Sequence, residues 1–142
     1  MNIKESSSPE INTNFITGEL KGSESDSKII TEKIIEAIQD RKGKKITLLD
    51  MADIESAPAH TFIICEGNTP VQVAAIADNV RDFLLDEIRV KPYNYDGYRA
   101  SEWIVIDYGD IIVHIFARET RQHYNLEDLW SDAETTQIPD LD

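Results

Sequence analysis

The stretch SEWIVIDYGDIIVHIF sets three chemically distinctive side chains in an otherwise apolar sequence. Trp103, Asp107 and His114 offer an aromatic, a carboxylate and an imidazole group that come together if the segment folds back on itself. Gly109-Asp110 is a two-residue turn signal, because glycine at the first central position suits a type II′ turn whose twist matches the flanking strands. The sequence therefore predicts a β-hairpin closed at this pair.

This turn fixes the hairpin register and hence which side chains share a face. One predicted face is entirely apolar or aromatic: Ile104, Ile106, Tyr108, Ile111, Val113 and Ile115. The other is mixed: Trp103, Val105, Asp107, Ile112, His114 and Phe116. Asp107 and His114 are diagonal neighbours there, within reach of a carboxylate–imidazole contact. We expect the apolar face to pack on helices.

The mixed face has three interpretations. It is a second helix-covered face with a satisfied Asp107–His114 pair, a partner-binding face, or a catalytic or metal site. Tryptophan beside a desolvated polar pair is typical of interface hot spots, which favours a partner.

Catalysis and metal binding have little support in the sequence. There is no G-x-S-x-G motif, P-loop or G-x-G-x-x-G. The three histidines and the single cysteine do not form a zinc-ligand pattern. Two-metal chemistry favours two acids one residue apart on a strand, whereas the nearest acids, Asp107 and Asp110, straddle a turn. We therefore predict no catalytic residue, no metal and no cofactor.

Composition limits the class of protein. With 142 residues, 41% of them hydrophobic, one domain is expected, and the single Cys65 excludes an internal disulfide. The net charge of −13 repels bare phosphate backbones. It either attracts a basic partner or serves solubility alone, and the charge by itself does not distinguish these two roles. No apolar run reaches the roughly 18 residues of a membrane helix, and the first residues resemble neither a signal nor a transit peptide. We expect a cytoplasmic protein that binds neither membranes nor nucleic acid directly.

The chain divides into three predicted parts. Residues 1–26, rich in Ser, Asn, Glu and Gly, are predicted to be a disordered acidic tail. Residues 27–131 are predicted to form the domain. Residues 132–142, which carry four acids and a proline, are predicted to be a second acidic tail.

Periodicity predicts an α/β domain with a mixed sheet flanked by helices. An amphipathic helix should begin at an N-cap on Ser27 and stop at Gly43. KITLLDMA and TFIICEG are typical of buried strands, and a second helix should follow, capped by Thr69 with Pro70 at its first position. A short edge strand is expected around residues 91–94, before the hairpin and a helical end.

The hairpin, the closing pattern R..Y.LEDLW and the upstream LDM and FIICEGNTPVQVAAIADNV together resemble the ribosomal silencing factor family, RsfS, also called Iojap-like. The resemblance covers about residues 28–131. It implies a non-enzymatic translation repressor that binds the large ribosomal subunit through ribosomal protein fourteen and blocks joining of the small subunit. It also implies a fold similar to nucleotidyltransferases without their catalytic acids.

The family pattern W-x-x-x-D-x-G-D-x-x-x-H falls on Trp103, Asp107, Gly109, Asp110 and His114. The resemblance implicates the tryptophan in docking. The complete predicted partner-binding set is Trp103, Val105, Asp107, Tyr108, Gly109, Asp110 and His114. The closing motif falls on Arg121, Tyr124, Leu126, Glu127 and Trp130, of which Tyr124, Leu126 and Trp130 are interpreted as holding the C-terminal segment on the core.

Two positions depart from the family, which often has an aspartate where this chain has His60 and a small hydroxyl residue where it has Asn68. Two alternative functions stay open: an adaptor for assembly of the large subunit, and a nucleotidyltransferase-like enzyme. An exposed tryptophan face would also favour a homodimer away from the ribosome.

Overall fold

The computed structural model describes residues 24–141, so the predicted N-terminal tail lies outside the described residues except for its last three positions. Four helices lie in that part of the chain: α1 (Glu24–Asp40), α2 (Pro70–Ile88), α3 (Arg118–Tyr124) and α4 (Leu126–Leu129). Its strands are β1 (Lys44–Asp50), β2 (Thr61–Gly67), β3 (Asn94–Asp96), β4 (Trp103–Asp107), β5 (Ile111–Ala117) and β6 (Glu134–Gln137). The residues from Thr31 onward form one compact unit that holds the whole sheet.

The strands form one sheet in the order β3-β4-β5-β2-β1-β6. β2 and β5 are parallel, and the other neighbouring pairs are antiparallel. The prediction of an α/β domain with a mixed sheet is therefore confirmed.

Helix α1 ends at Asp40, just before the predicted stop at Gly43. The backbone N–H of Gly43 donates to the Ile38 carbonyl at 3.0 Å, and a Cβ at Gly43 would collide with the Ile38 side chain. The predicted N-cap at Ser27 is wrong, because α1 begins three residues earlier, at Glu24. Lys42 rather than the glycine takes the left-handed backbone conformation, with φ 61°.

Helix α2 has the predicted cap. The Thr69 side chain accepts from the Gln72 backbone N–H at 3.1 Å, with Pro70 at the first position. The Gln72 side-chain oxygen accepts from the backbone N–H of Asn68 at 2.7 Å. These two hydrogen bonds resemble a capping box at the start of the helix. The predicted stripe of Val73, Ile76, Ala77, Val80 and Leu84 is buried.

Each face of the sheet has its own core. The predicted apolar face of the hairpin is buried, and α2 contacts β2, β4 and β5. The opposite face carries a second, smaller core that includes residues of the 51–59 loop and of α4: Leu49, Met51, Ala59, Phe62, Ile64, Phe116, Leu126 and Ala133. The mixed face is therefore partly covered rather than wholly free.

The predicted C-terminal tail is wrong for its central part. Residues 134–137 form β6 and pair antiparallel with β1, and the Ile138 backbone N–H continues the ladder to the Ile46 carbonyl at 2.9 Å. All four β6 residues are exposed, so the strand has no apolar alternation to reveal it. Its stability comes from backbone groups on the outer edge of β1 that would otherwise lack partners. The predicted edge strand is also displaced and lies at Asn94–Asp96.

Candidate functional site

The hairpin has the predicted register. Trp103 pairs with Phe116, Val105 with His114 and Asp107 with Ile112. Gly109 has φ 90°, a left-handed conformation that glycine adopts without strain. Trp103, Val105, Asp107 and His114 therefore lie on one face, as the turn signal predicted.

Trp103 is held firmly on this face. Its indole Nε1–H donates to Nδ1 of His114 at 3.1 Å, and the ring stacks on Phe116 with centroids 5.0 Å apart. The half-exposed ring of Tyr124, from α3, lies 4.6 Å from it on another side. These contacts leave the tryptophan half-buried, with a fixed orientation at the surface.

His114 lies beneath the tryptophan and is only 6% exposed. Burial lowers the pKa of its imidazole to about 4, so the ring is neutral at pH 7. Because Nδ1 accepts from Trp103, the ring proton lies on Nε2, which has no hydrogen-bond partner among residues 24–141. The Phe62 ring packs edge-on against the imidazole at 4.4 Å.

The predicted contact between Asp107 and His114 is wrong. The Asp107 carboxylate instead accepts from the Gly109 backbone N–H at 2.8 Å and stabilises the turn. The indole of Trp103 already occupies the acceptor nitrogen of His114. The Asp107 carboxylate therefore lies at the half-exposed turn end of the hairpin.

Tyr108 does not join the other predicted site residues. It lies on the helix-covered face, 8% exposed, and its buried hydroxyl lacks a partner in the described part of the chain. Burial raises the pKa of this hydroxyl. Gly109 and Asp110 lie at the tip of the hairpin, so the structure gathers six of the seven predicted residues on one face and its turn. Their role in partner binding stays a prediction.

With this geometry defined, comparison with known proteins identifies the family. The family model described as ribosomal silencing factor during starvation matches residues 24–142. The chain belongs to the ribosomal silencing factor family. The match includes the strand β6 that was predicted to be tail.

Curated relatives agree with this assignment. The ribosomal silencing factor RsfS of Bacillus subtilis is 40% identical over 106 residues, which cover 75% of this chain and 86% of that protein. RsfS of Halalkalibacterium halodurans is 38% identical over 105 residues, covering 73% and 87%. A crystal structure of a Chromobacterium violaceum protein superposes with a TM-score of 0.68 at 34% identity, over 73% of this chain and 85% of the other.

In this member of the silencing factor family, Arg121 of the closing motif ties four elements together. Its guanidinium donates to Glu66 at 3.2 Å, to Glu127 at 2.6 Å and to the Thr47 hydroxyl at 3.0 Å, and it is nearly buried. Sequence reasoning recognised the arginine but missed Glu66, whose carboxylate is the buried counter-charge. An acidic residue in the otherwise apolar strand TFIICEG was the sequence signal that could have indicated a buried ion pair.

The rest of the closing motif has the role that was interpreted from it. Leu126 is buried in the second core, Trp130 packs against that core and Tyr124 packs on Trp103. These contacts hold the C-terminal segment over the mixed face of the hairpin.

A group of surface tyrosines beside the hairpin was missed. Tyr93 is 83% exposed and its ring lies over Gly109, while the Arg81 guanidinium lies 3.7 Å from the centre of the Tyr95 ring. β3 places them next to β4, with Asn94 opposite Asp107. The segment PYNYDGY was expected to hold only a short edge strand and turns, although three tyrosines in seven residues are an unusual content for such a segment.

The described residues offer no support for a metal site, a membrane span or a reactive thiol. Residues 24–141 contain no group of three or more His, Cys, Asp or Glu side chains placed to hold a metal. No helix in the same part of the chain is long and apolar enough to cross a membrane. Cys65 is buried, and burial raises the pKa of its thiol to about 12, which disfavours the reactive thiolate.

Proposed function

We propose that this chain represses translation by binding the large ribosomal subunit through ribosomal protein fourteen, which blocks joining of the small subunit. Family membership and the relatives named ribosomal silencing factor support the proposal. The docking face consists of Trp103, Val105, Asp107, Gly109 and Asp110, with His114 beneath it.

The fixed orientation of Trp103 is the observation that carries the choice of this face. Binding normally costs the entropy of immobilising interface side chains, about 0.5–1.5 kcal/mol for each flexible one. The hydrogen bond to His114 and the contacts with Phe116 and Tyr124 have already restricted this side chain. An aromatic residue fixed in this way is the usual anchor of a protein interface.

The charges around the tryptophan fit a basic partner. Asp107 and Asp110 lie at the end of the same hairpin, and the chain as a whole carries a net charge of −13. Complementary charge accelerates association and makes it sensitive to salt. The proposal therefore favours binding to protein over binding to ribosomal RNA.

Co-sedimentation with separated ribosomal subunits tests the partner, and light scattering during subunit association tests the mechanism. The chain should pellet with large subunits only, and large subunits preincubated with it should not join small subunits. Binding without any effect on joining would favour the assembly adaptor over the repressor. Equal binding to both subunits would contradict the proposal.

A charge-matched pair of variants tests the face. Asp107→Asn with Asp110→Asn removes two charges but keeps a side-chain oxygen to accept from Gly109. The control removes two acids from the exposed side of α2, Asp78→Asn with Asp82→Asn. The first pair should weaken large-subunit binding at low salt, whereas the control pair should not. Equal weakening by both pairs would mean that only net charge matters.

The same face is proposed to support a homodimer when no ribosome is present. Sedimentation velocity should then show a concentration-dependent dimer that Trp103→Ala abolishes. If the Trp103→Ala variant still dimerises, the dimer interface does not include this face.

A further inference from the structure

An open cleft with a volume of about 1080 Å³ lies at the carboxyl ends of the parallel strands β2 and β5. Glu66 near the end of β2 and Arg118 directly after β5 line it. In open α/β sheets, ligands bind outside the carboxyl ends of the strands, and small-molecule pockets have volumes of roughly 300–1,000 Å³. The cleft follows the end of β5, whereas the docking hairpin turn precedes the start of that strand, and the proposed function does not use the cleft.

Cations slightly outnumber acids in the cleft, although the chain as a whole is acidic. Four cationic side chains line it: Lys44, Lys45, Arg118 and Arg121. The two carboxylates of its floor, Glu66 and Glu127, are engaged by the arginines. The third acid in the lining, Asp140, accepts the Lys45 backbone N–H at 2.8 Å.

A turn with two further cations adjoins the cleft. The side-chain amide of Gln72 donates to the carbonyls of Arg41 and Lys42, both at 3.2 Å. The same glutamine accepts from the backbone N–H of Asn68, which lines the cleft. Of the segment RKGKK, Lys44 and Lys45 line the cleft, and Gln72 connects the preceding turn to its edge.

Arg118 is pre-positioned for an anion. Its Nε donates to Glu66 at 3.3 Å and its Nη2 to the Asn68 side-chain oxygen at 3.0 Å. The side chain is nevertheless 61% exposed, and its Nη1 has no partner among the described residues. A guanidinium fixed on two edges with a free third edge suits a phosphate oxygen.

Lys45 is held in a strained backbone conformation beside the cleft. Its φ is 55°, at the bulge that interrupts pairing of β1 with β2. Its carbonyl accepts from Arg121 at 2.8 Å, and its exposed ammonium group makes no ion pair within residues 24–141. Bulges and left-handed non-glycine residues concentrate at functional sites, where they aim a side chain.

We propose that this cleft, called the Arg118 cleft, binds a nucleoside diphosphate. Besides Arg118 and Lys45, its lining offers the amide side chains of Asn68, Gln122 and Asn125 and the apolar Ile138 and Pro139. Arg118 and Lys45 bind the phosphates. The three amide side chains supply donors and acceptors for the ribose and base. The apolar residues provide a surface on which the base packs.

Calorimetric titration of the full chain with ADP, GDP and inorganic pyrophosphate tests the proposal. One of the two nucleotides should bind at least tenfold more tightly than pyrophosphate, because the base and ribose add contacts. In NMR spectra, binding should shift the side-chain amide resonances of Asn68, Gln122 and Asn125. No binding by either nucleotide at millimolar concentration, or equal binding of pyrophosphate, would overturn the proposal.

Two cleft variants and one control locate the site. Arg118→Gln and Lys45→Gln should each weaken nucleotide binding about tenfold or more, whereas Arg99→Gln, which removes an equal charge from an exposed position outside the cleft lining, should not. Lys45→Gln alters only an exposed side chain, so it keeps the test valid if Arg118→Gln disturbs folding. Equal weakening by the control, or displacement of nucleotide by a short single-stranded RNA that binds more tightly, would refute a nucleotide site.

Discussion

Replacing His114 should remove a large part of the acid sensitivity of this fold. The imidazole is almost fully buried, makes one hydrogen bond as an acceptor, and has its pKa lowered by burial from 6.5 to about 4. In the unfolded chain the same group titrates near 6.5. Between pH 6.5 and 4, the unfolded state therefore binds more protons than the folded state, so stability is complete above this window and falls as the pH falls through it.

The magnitude follows from the two pKa values. At pH 7.5 the linkage contribution is close to zero, and at pH 5 it amounts to a loss of about 2 kcal/mol in the free energy of unfolding. Such a loss is a large fraction of the roughly 5–15 kcal/mol by which domains are stable.

Denaturant unfolding at pH 7.5 and 5.0 measures this loss. His114→Gln keeps an acceptor for the Trp103 indole but cannot titrate, so its stability should fall by about 2 kcal/mol less than that of the parent chain between these pH values. His60→Gln, at an exposed histidine, is the matched control and should follow the parent. Identical pH dependence in all three proteins would refute the assignment of a buried neutral imidazole.

Three further experiments test the structure. Arg121→Gln leaves the Glu66 carboxylate without its main buried partner and should cost about 3–5 kcal/mol in denaturant unfolding, and Arg118→Gln, at an exposed partner of the same acid, should cost far less. Truncation after Asp132 removes β6 and should lower the melting temperature. Removal of an unstructured tail would leave the melting temperature unchanged. Ile106→Ala, at a fully buried position, should lower the free energy of unfolding by about 2–5 kcal/mol. Trp103→Ala should lower the free energy of unfolding less than Ile106→Ala does, but should weaken large-subunit binding more. The reverse order for Trp103 and Ile106 would make the mixed face a core face.

The hairpin could be predicted in detail because local rules determine it. A glycine that favours positive φ sets the turn, the turn sets the register, and the period of two assigns every side chain to a face. Helix α2 was predictable for a similar reason, since its cap and buried stripe are both local patterns. These elements needed no knowledge of the rest of the fold.

Features that depend on distant partners were not predictable. β6 forms because it pairs with the open edge of β1, and the sequence ETTQ contains no pattern that indicates a strand. A contact between Asp107 and His114 was predicted because their spacing permits it. The spacing did not show that the Trp103 indole would donate its hydrogen bond to the imidazole nitrogen instead. Likewise, the pairing of Glu66 with Arg121 joins residues 55 positions apart, and only the assembled sheet reveals it.

Titration of purified ribosomal protein fourteen with this chain, by calorimetry at physiological salt, tests the proposed docking most directly. The parent chain should bind, and Trp103→Ala should weaken binding by about 2 kcal/mol or more, roughly thirtyfold, while its circular dichroism spectrum stays folded. The control pair Asp78→Asn with Asp82→Asn should bind like the parent. A Trp103→Ala variant that binds as tightly as the parent, or a parent that does not bind ribosomal protein fourteen, would contradict docking through this hairpin.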